Sequence, residues 1–321
     1  VKVLVYGFYH QGNLGDDFFI EVFKFLFPNY ELIFTEIIDS DKLKDVDAVF
    51  FGGGSFLLDR PNITSDALKA LKYKKILYIG VGVEAEIHPI HVELMSRALL
   101  IATRSIDKVE CLKLINPNIK YIPDLVYSLQ NKVILSQKTN HSVLIMPNMV
   151  VVPQRSNPHW QHAAWAYFKS EFTQFLDWLV ENNYHPHLFP MCRAAEIDDE
   201  WAASELIGHM EHRHQAHSNP ILPVGFAAAT ALVSRYKIVV TQRFHGIVLS
   251  EMTRTPYLAI HHHDKLKLCQ PNEGKFLSYY NSSKHSLIDA FNQALVMNYR
   301  DILPIKTSIF KELVDEVTNL L

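Results

Sequence analysis

The sequence predicts an α/β chain of two parallel-sheet domains, and three observations carry that expectation. Short apolar runs rich in valine, isoleucine and phenylalanine alternate with helical stretches along the chain, the mark of repeated strand–helix units. Those runs are apolar throughout rather than at every second residue, as strands buried on both faces of a parallel sheet are. Between the halves, residues 129–141 (LQNKVILSQKTNH) turn polar and lose periodicity, so a domain boundary is expected near 135–141. The expected division is 1–138, 139–304 and a terminal helix, 305–321, that packs back on the first domain. A length of 321 residues suits two ordinary domains.

Residues 1–6 read as the first strand. They run into Gly7-Phe8-Tyr9-His10-Gln11-Gly12-Asn13-Leu14-Gly15-Asp16-Asp17, and a helix is expected from 18 to 27, stopped by Pro28. Glycines in a strand-to-helix turn let backbone approach a ligand, and the helix start offers unpaired N–H donors. Asp16 and Asp17 also suit N-cap and first-turn positions, and Asp17 is assigned that structural role. The loop is not a dinucleotide fingerprint, because GxGxxG is absent and an acid stands where a pyrophosphate would be repelled. Strands follow at 32–38 and 48–51. The second ends in Gly52-Gly53-Gly54-Ser55-Phe56-Leu57-Leu58-Asp59, whose glycines signal tight turning or close approach to a ligand.

The strand at 75–83 ends in Gly80 and Gly82, and a helix is expected over 89–99 with His88 and His91 in solvent at its start. Their spacing is not the i,i+4 pair of a helical metal site. A strand at 100–103 leads to Arg104, whose plain partner is Asp107, then to a helix at 107–115 and a segment, 120–122, before Pro123-Asp124. The second half restarts with a strand at 142–146 and a loop, 147–160, holding Arg155, His159 and Trp160. In the helix at 163–182, Phe168, Phe172, Phe175, Leu176 and Leu179 recur at helical spacing and read as core. The strand at 185–189 ends at Pro190-Met191-Cys192-Arg193, which makes Arg193 a candidate anion ligand. Asp198-Asp199 is expected to cap a helix at 200–212. His209, His212, His214 and His217 read as a solvated helix end rather than a metal site. A short strand at 222–224 and a helix at 225–234 precede residues 238–268 (IVVTQRFHGIVLSEMTRTPYLAIHHHDKLKL).

That stretch reads as strand, helix and strand. Arg243 and His245 leave the first strand near a helix start, and Lys265 leaves the second. Ligands of open α/β sheets bind at the carboxyl ends of strands, and helix N-termini favour anions. Three cationic donors at such ends suit a small anion carrying phosphate and carboxylate groups. His261, His262 and His263 cannot easily hold one metal ion, since adjacent strand residues point to opposite faces. A helix at 286–299 and a terminal helix at 309–321 complete the chain.

Arg243-Phe244-His245-Gly246 after a strand, then Thr255-Pro256, a strand and Asp264-Lys265, resembles the polysaccharide pyruvyl transferase family. Gly12-Asn13-Leu14-Gly15-Asp16-Asp17 and the Gly52–Asp59 loop resemble it too, as does Pro123-Asp124. The resemblance implies two Rossmann-like parallel-sheet domains facing a cleft, the glycosyltransferase B arrangement. It implies transfer of the pyruvyl group of phosphoenolpyruvate to two hydroxyls of one sugar, in a glycan or a lipid-linked saccharide, giving a ketal. Arg243, His245, Lys265, Arg193 and Arg155 would then meet the donor, and Asn13, Gly15, Asp16, Gly53, Gly54, Ser55, Asp59 and Arg104 the acceptor. Arginine forks match phosphate and carboxylate, and lysine acts as a point charge. His245 or Lys265 would donate the proton to the enol carbon; the sequence leaves the choice open. No metal or cofactor is expected beyond phosphoenolpyruvate as donor substrate. A nucleotide-sugar glycosyltransferase shares the expected architecture. A non-catalytic glycan-binding relative would have no use for the Arg243, His245 and Lys265 set.

Composition narrows the classes. Hydrophobic residues make up 48% and charged residues 20%, enough apolar material for a large core. A formal charge of −3 without a basic block argues against a dedicated nucleic-acid binder. Three widely spaced cysteines, Cys111, Cys192 and Cys269, support neither a disulfide framework nor a zinc site, so a cytoplasmic protein is expected. No signal peptide and no membrane-spanning run of about 18 apolar residues is read; peripheral contact with a membrane and the oligomeric state stay open.

Overall fold

The computed structural model describes residues 1–54, 61–83, 87–149, 158–194, 197–218, 224–261, 275–296 and 307–321. The chain divides into two units, Val1–Asn131 with Pro304–Leu321, and Lys132–Leu303.

The first unit runs β1 (Lys2–Tyr6), α1 (Leu14–Leu26), β2 (Glu31–Thr35), β3 (Ala48–Gly52), α2 (Ser65–Leu71), β4 (Lys75–Val81), α3 (Pro89–Ser96), β5 (Leu100–Thr103), α4 (Val109–Lys113) and β6 (Ile119–Tyr121). All neighbouring strands pair in parallel in the order β2-β1-β3-β4-β5-β6. The apolar runs of the internal strands β1, β3 and β4 are buried on both faces, as the unbroken hydrophobicity predicts, while the edge strands β2 and β6 are only partly buried. On one face Tyr6, Phe51 and Tyr78, from neighbouring strands, form an aromatic row with centroids 5.4 Å and 4.6 Å apart.

Helix α1 starts four residues before the expected 18. Asn13 is its N-cap, accepting from the Gly15 N–H at 3.2 Å, and Asp16 and Asp17 lie in its first turn. The Gly-Asn-Leu-Gly-Asp segment is therefore mostly helix start rather than loop. Helix α2 was not anticipated from periodicity, being short; Thr64 caps it through the Ala67 N–H. His91 corrects another expectation: it is buried under the aromatic row, its Nδ1 bonded to the Tyr78 hydroxyl at 2.9 Å and its ring edge-on to Phe51. The expected helix at 107–115 is a 3-10 turn, Ile106–Lys108, followed by α4.

The second unit runs β7 (Ser142–Met146), α5 (Pro158–Glu181), β8 (His185–Leu188), β9 (Arg193–Ala194), β10 (Ile197–Asp198), α6 (Asp199–His209), β11 (His217–Ser218), α7 (Phe226–Ser234), β12 (Ile238–Thr241), α8 (Phe244–Thr253), β13 (Tyr257–His261), β14 (Lys275–Ser278) and α9 (Lys284–Val296). Its main sheet is also parallel, in the order β11-β8-β7-β12-β13-β14, while β9 and β10 form a separate antiparallel pair. Helices α5, α6 and α9 cover the face that carries Ile145, Val240 and Leu258; Phe168, Phe172, Phe175, Leu176 and Leu179 of α5 are core, as their spacing predicts. Helix α8 lies on the opposite face, where the Tyr257 hydroxyl donates to Glu251 at 2.9 Å. Helix α5 begins at Pro158, so His159 and Trp160 stand on helix rather than loop. Of the strand expected at 222–224, Leu222 and Pro223 lie outside the described residues; the strand that pairs with β8 is β11.

The terminal helix, α10 (Ser308–Leu320), belongs to the first unit. It buries Phe310, Leu313 and Val317, pairs Glu316 with Lys120, and takes a 2.8 Å hydrogen bond from Lys75 Nζ at the Leu321 carbonyl.

In each sheet the first strand is internal. The chain leaves β1 for β2 on one side and later returns to β3 on the other; β7 stands in the same way between β8 and β12. Such reversal points open a crevice at the carboxyl ends of the strands.

Candidate active site

At the reversal point of the second unit, β12 ends at Thr241 and the next residues bind the neighbouring strand end. The Gln242 N–H continues the ladder to the Met146 carbonyl at 3.0 Å, and the Gln242 Oε1 accepts from the Asn148 N–H at 3.0 Å. Thr241 turns the chain into α8: its hydroxyl accepts from the Arg243 N–H at 2.9 Å and donates to the Arg243 carbonyl at 3.1 Å. The Gly246 of the Arg-Phe-His-Gly motif is a packing requirement. A Cβ there would stand 2.2 Å from Thr241 Oγ1 and 2.7 Å from Met146 Sδ.

Arg243 is the N-cap residue of α8 and makes no side-chain cap. Its guanidinium turns to Asp199 instead, giving Nε to Oδ2 at 2.9 Å and Nη2 to Oδ1. The Asp199 side chain is 0% exposed and that of Arg243 is 16% exposed. Oδ2 of Asp199 also accepts from the Met191 and Cys192 N–H groups at 3.1 Å and 2.9 Å. Burial pushes the Asp199 carboxyl up, against the pull of the Arg243 guanidinium and these two N–H groups. This corrects the expected role of Asp199: Asp198 alone caps α6, through the Glu200 N–H at 2.8 Å, and Asp199 anchors the arginine. Arg193, opposite Asp198 in the β9–β10 pair, meets Glu200 at 3.2 Å. His245 is buried in the first turn of α8. Lys265 and Arg155 lie outside the described residues.

At the reversal point of the first unit the polarity is acidic. The Tyr9 hydroxyl donates to the Gly52 carbonyl at 2.5 Å, linking the loop after β1 to the end of β3. Burial holds the Tyr9 phenol well above its ordinary pKa, and the Asp16 charge adds to that. Asn13 Nδ2 donates to Asp16 Oδ2 at 2.6 Å, so the capping residue also orients the acid. Asp16 Oδ1 lies over Gly54, 3.0 Å from where a Cβ would be, and Gly54 has φ +69°. Gly53 has φ +70° and would press a Cβ into the Phe19 ring. Asp17 accepts from the His10 N–H at 2.6 Å and ties the loop, in keeping with a structural role. Ser55 and Asp59 lie outside the described residues. Gly15 is buried within the α1 cap.

Arg104 pairs with Asp124 at 2.5 Å, both nearly buried, while Asp107 pairs with Lys108 at 3.0 Å. The structural alternative for Arg104, a pair with Asp107, is thus replaced by one with the acid of Pro123-Asp124. Asp124 Oδ1 also caps the following turn through the Val126 N–H at 2.9 Å. Sequence reasoning missed Asp199, Gln242 and Tyr9 as parts of the sites. A second aspartate beside the capping Asp198 was the one signal pointing to Asp199. Among the described residues no group of three or more His, Cys, Asp or Glu could hold a metal ion.

Two parallel sheets, each with polar groups at its reversal point, define a two-unit α/β protein. A putative UDP-N-acetylglucosamine 2-epimerase from Listeria monocytogenes superimposes with a TM-score of 0.59 at 10% identity, over 99% of this chain and 96% of that one. The UDP-N-acetylglucosamine 2-epimerase of Rickettsia bellii gives 0.58 at 10% identity, over 100% and 95%. A glycosyltransferase from Rickettsia africae gives 0.53 at 12% identity, over 99% and 93%. No curated protein matches the sequence significantly. The profile of the polysaccharide pyruvyl transferase family matches residues 13–264, and the chain belongs to that family.

Proposed function

We propose that this transferase moves the pyruvyl group of phosphoenolpyruvate onto two hydroxyls of one sugar in a glycan or glycolipid precursor. The observation that carries the reading is Arg243, an arginine fixed by a buried carboxylate at the end of β12, with His245 in the first turn of α8. Family membership supports it as well. The donor's phosphate and carboxylate need planar, bidentate partners, and the Arg243 guanidinium, held in place by Asp199 through Nε and Nη2, is such a fork. His245 or Lys265 protonates the methylene carbon of the donor, which becomes the methyl group. One sugar hydroxyl adds to the adjacent carbon and returns its proton to that base; the second displaces phosphate, which leaves with the other proton, and the ketal closes. Asp16, oriented by Asn13 at the other unit's strand ends, suits a neutral polyol, because a carboxylate accepts from hydroxyls.

Phosphoenolpyruvate is a cytoplasmic metabolite, so the proposal places the reaction in the cytoplasm. Among the described residues no helix is long and apolar enough to cross a membrane. The test is phosphate release from phosphoenolpyruvate with a panel of β-galactosides and N-acetylhexosamines. The expected result is acceptor-dependent release by the native enzyme, lost in Arg243→Met and His245→Ala. Release unchanged in both variants, or tight nucleotide-diphosphate binding with no response to phosphoenolpyruvate, would overturn the proposal.

A further inference from the structure

Gln242 lies between the last residue of β12 and Arg243, and its side chain is almost wholly buried, with the residue 3% exposed. Its Oε1 accepts from the Asn148 backbone N–H at 3.0 Å. A backbone N–H can meet only the oxygen of an amide, so this contact fixes which end of the group is which. The NH2 group is therefore turned away from Asn148. Among the described residues Nε2 has no hydrogen-bond acceptor. Buried polar groups are paired in the great majority of cases, and a buried donor left alone is destabilising, so this one calls for a partner.

Its position says what kind of partner. Asn148 follows β7 and Gln242 follows β12, and the order β8-β7-β12-β13 makes this pair the reversal point of the sheet. The amide spans the crevice where an α/β sheet takes its ligand. Arg243 is the next residue, His245 lies two further on, and α8 begins there with its N-terminal turn. The Arg243 guanidinium and the N-terminal turn of α8 both favour negative charge, so an anionic oxygen is the acceptor such a place favours.

We propose that Gln242 is a ligand-binding residue: its Nε2 donates to an anionic oxygen, phosphate or carboxylate, of the small molecule held by Arg243. The assignment rests on the reading of this strand end as the phosphoenolpyruvate site and adds a neutral, directional donor to it. Asn148 holds the amide in register before ligand arrives, so no rotamer freedom is lost on binding. An amide also adds no charge, which leaves the cationic groups to the leaving phosphate.

Two substitutions separate the atoms. Gln242→Glu keeps an oxygen for the Asn148 N–H and puts a second oxygen where the donor stood. Gln242→Met removes both polar atoms at similar volume. Calorimetric titration of the full chain with phosphoenolpyruvate and, separately, with inorganic phosphate reads the result, with Arg243→Met as the site control and thermal melting as the check on folding. The expected result is anion affinity lowered about tenfold or more in Gln242→Glu and by a smaller factor in Gln242→Met. Gln242→Glu should melt near the native protein, and Gln242→Met below it because the Asn148 N–H is orphaned. Native affinity in Gln242→Met, with binding lost in Arg243→Met, would overturn the Gln242 assignment and leave the anion site standing. Phosphate binding without phosphoenolpyruvate binding would overturn the substrate reading, while the phosphate arm still decides Gln242. Binding of neither anion by the native chain would overturn both.

Discussion

Asp199 and Arg243 form a buried ion pair whose atoms predict the outcome of removing either. Oδ2 of Asp199 accepts from Met191, Cys192 and Arg243 Nε, and Oδ1 accepts from Arg243 Nη2. In Asp199→Asn the amide oxygen takes over the three contacts of Oδ2, and the amide NH2 then faces Nη2, donor against donor, beside a guanidinium that has lost the charge of Asp199. Breaking a buried pair from one side costs about 3–5 kcal/mol, and with three contacts kept the value should fall near the lower end, about 3 kcal/mol. In Arg243→Met the carboxylate keeps its two backbone N–H groups and can answer by taking up a proton, the direction burial already favours, so the expected cost is about 2–3 kcal/mol. The double variant buries no charge and should be no less stable than the worse single, a coupling of about 2–3 kcal/mol in the cycle. Urea unfolding read by tryptophan fluorescence is well suited, because all four tryptophans, Trp160, Trp165, Trp178 and Trp201, belong to the second unit. With a slope of about 2 kcal/mol/M, each single should lower the midpoint by about 1–1.5 M. Shifts corresponding to under about 1 kcal/mol, adding without coupling in the double variant, would refute the pair as the anchor of the site.

Gly246→Ala should destabilise the second unit by about 1–3 kcal/mol, because its Cβ meets Thr241 and Met146, and should depress phosphoenolpyruvate-dependent phosphate release by shifting the start of α8; native melting in this variant would contradict the packing. His187 supplies a pH test. Burial first, then the nearby His217 and His185, lower its pKa in the folded chain, and its Nδ1 lies 3.1 Å from the Tyr236 hydroxyl. A lowered folded value means that its stabilising contribution is complete above the unfolded value of about 6.5 and is lost as pH falls through it, since only the unfolded chain then takes up the proton. Denaturation curves of His187→Asn should therefore show a shallower loss of stability below about pH 6.5 than the native protein, and equal slopes would contradict the assignment.

The two sheets were legible because strands buried on both faces carry a continuous apolar signal that survives without any partner in view. Helix starts were legible where a capping residue lies beside its helix, and misread where a functional segment doubles as one: Asn13 caps α1 inside the very motif that reads as a loop. Side-chain partners were the least legible. For Arg104 local spacing offers only the acid three residues away as a partner, yet Asp124 is 20 residues on, and Arg243 meets Asp199 across 44 residues. Such pairings depend on which strand ends become neighbours, and sheet order is a tertiary fact that local spacing does not encode. His91 failed for the same reason, since the aromatic row that covers it is assembled from three strands.

The same topological reason places both candidate sites and gives them opposite chemistry. In each unit the loop leaving one internal strand end is tied by a side chain to the neighbouring strand end, Tyr9 to Gly52 in the first and Gln242 to Asn148 in the second. What stands beside each link then decides the ligand. The first unit presents Asp16, a carboxylate oriented by Asn13, which repels phosphate and accepts from hydroxyls. The second presents Arg243, fixed by a carboxylate that is itself buried out of a ligand's reach, so the negative charge that orients the arginine does not confront the donor. The proposed anionic donor and neutral polyol acceptor would be sorted by this strand-end chemistry. The proposed reaction requires that sorting, because a phosphate at the acidic end would be repelled and a sugar at the cationic end would leave the arginine's planar fork without a matching charge.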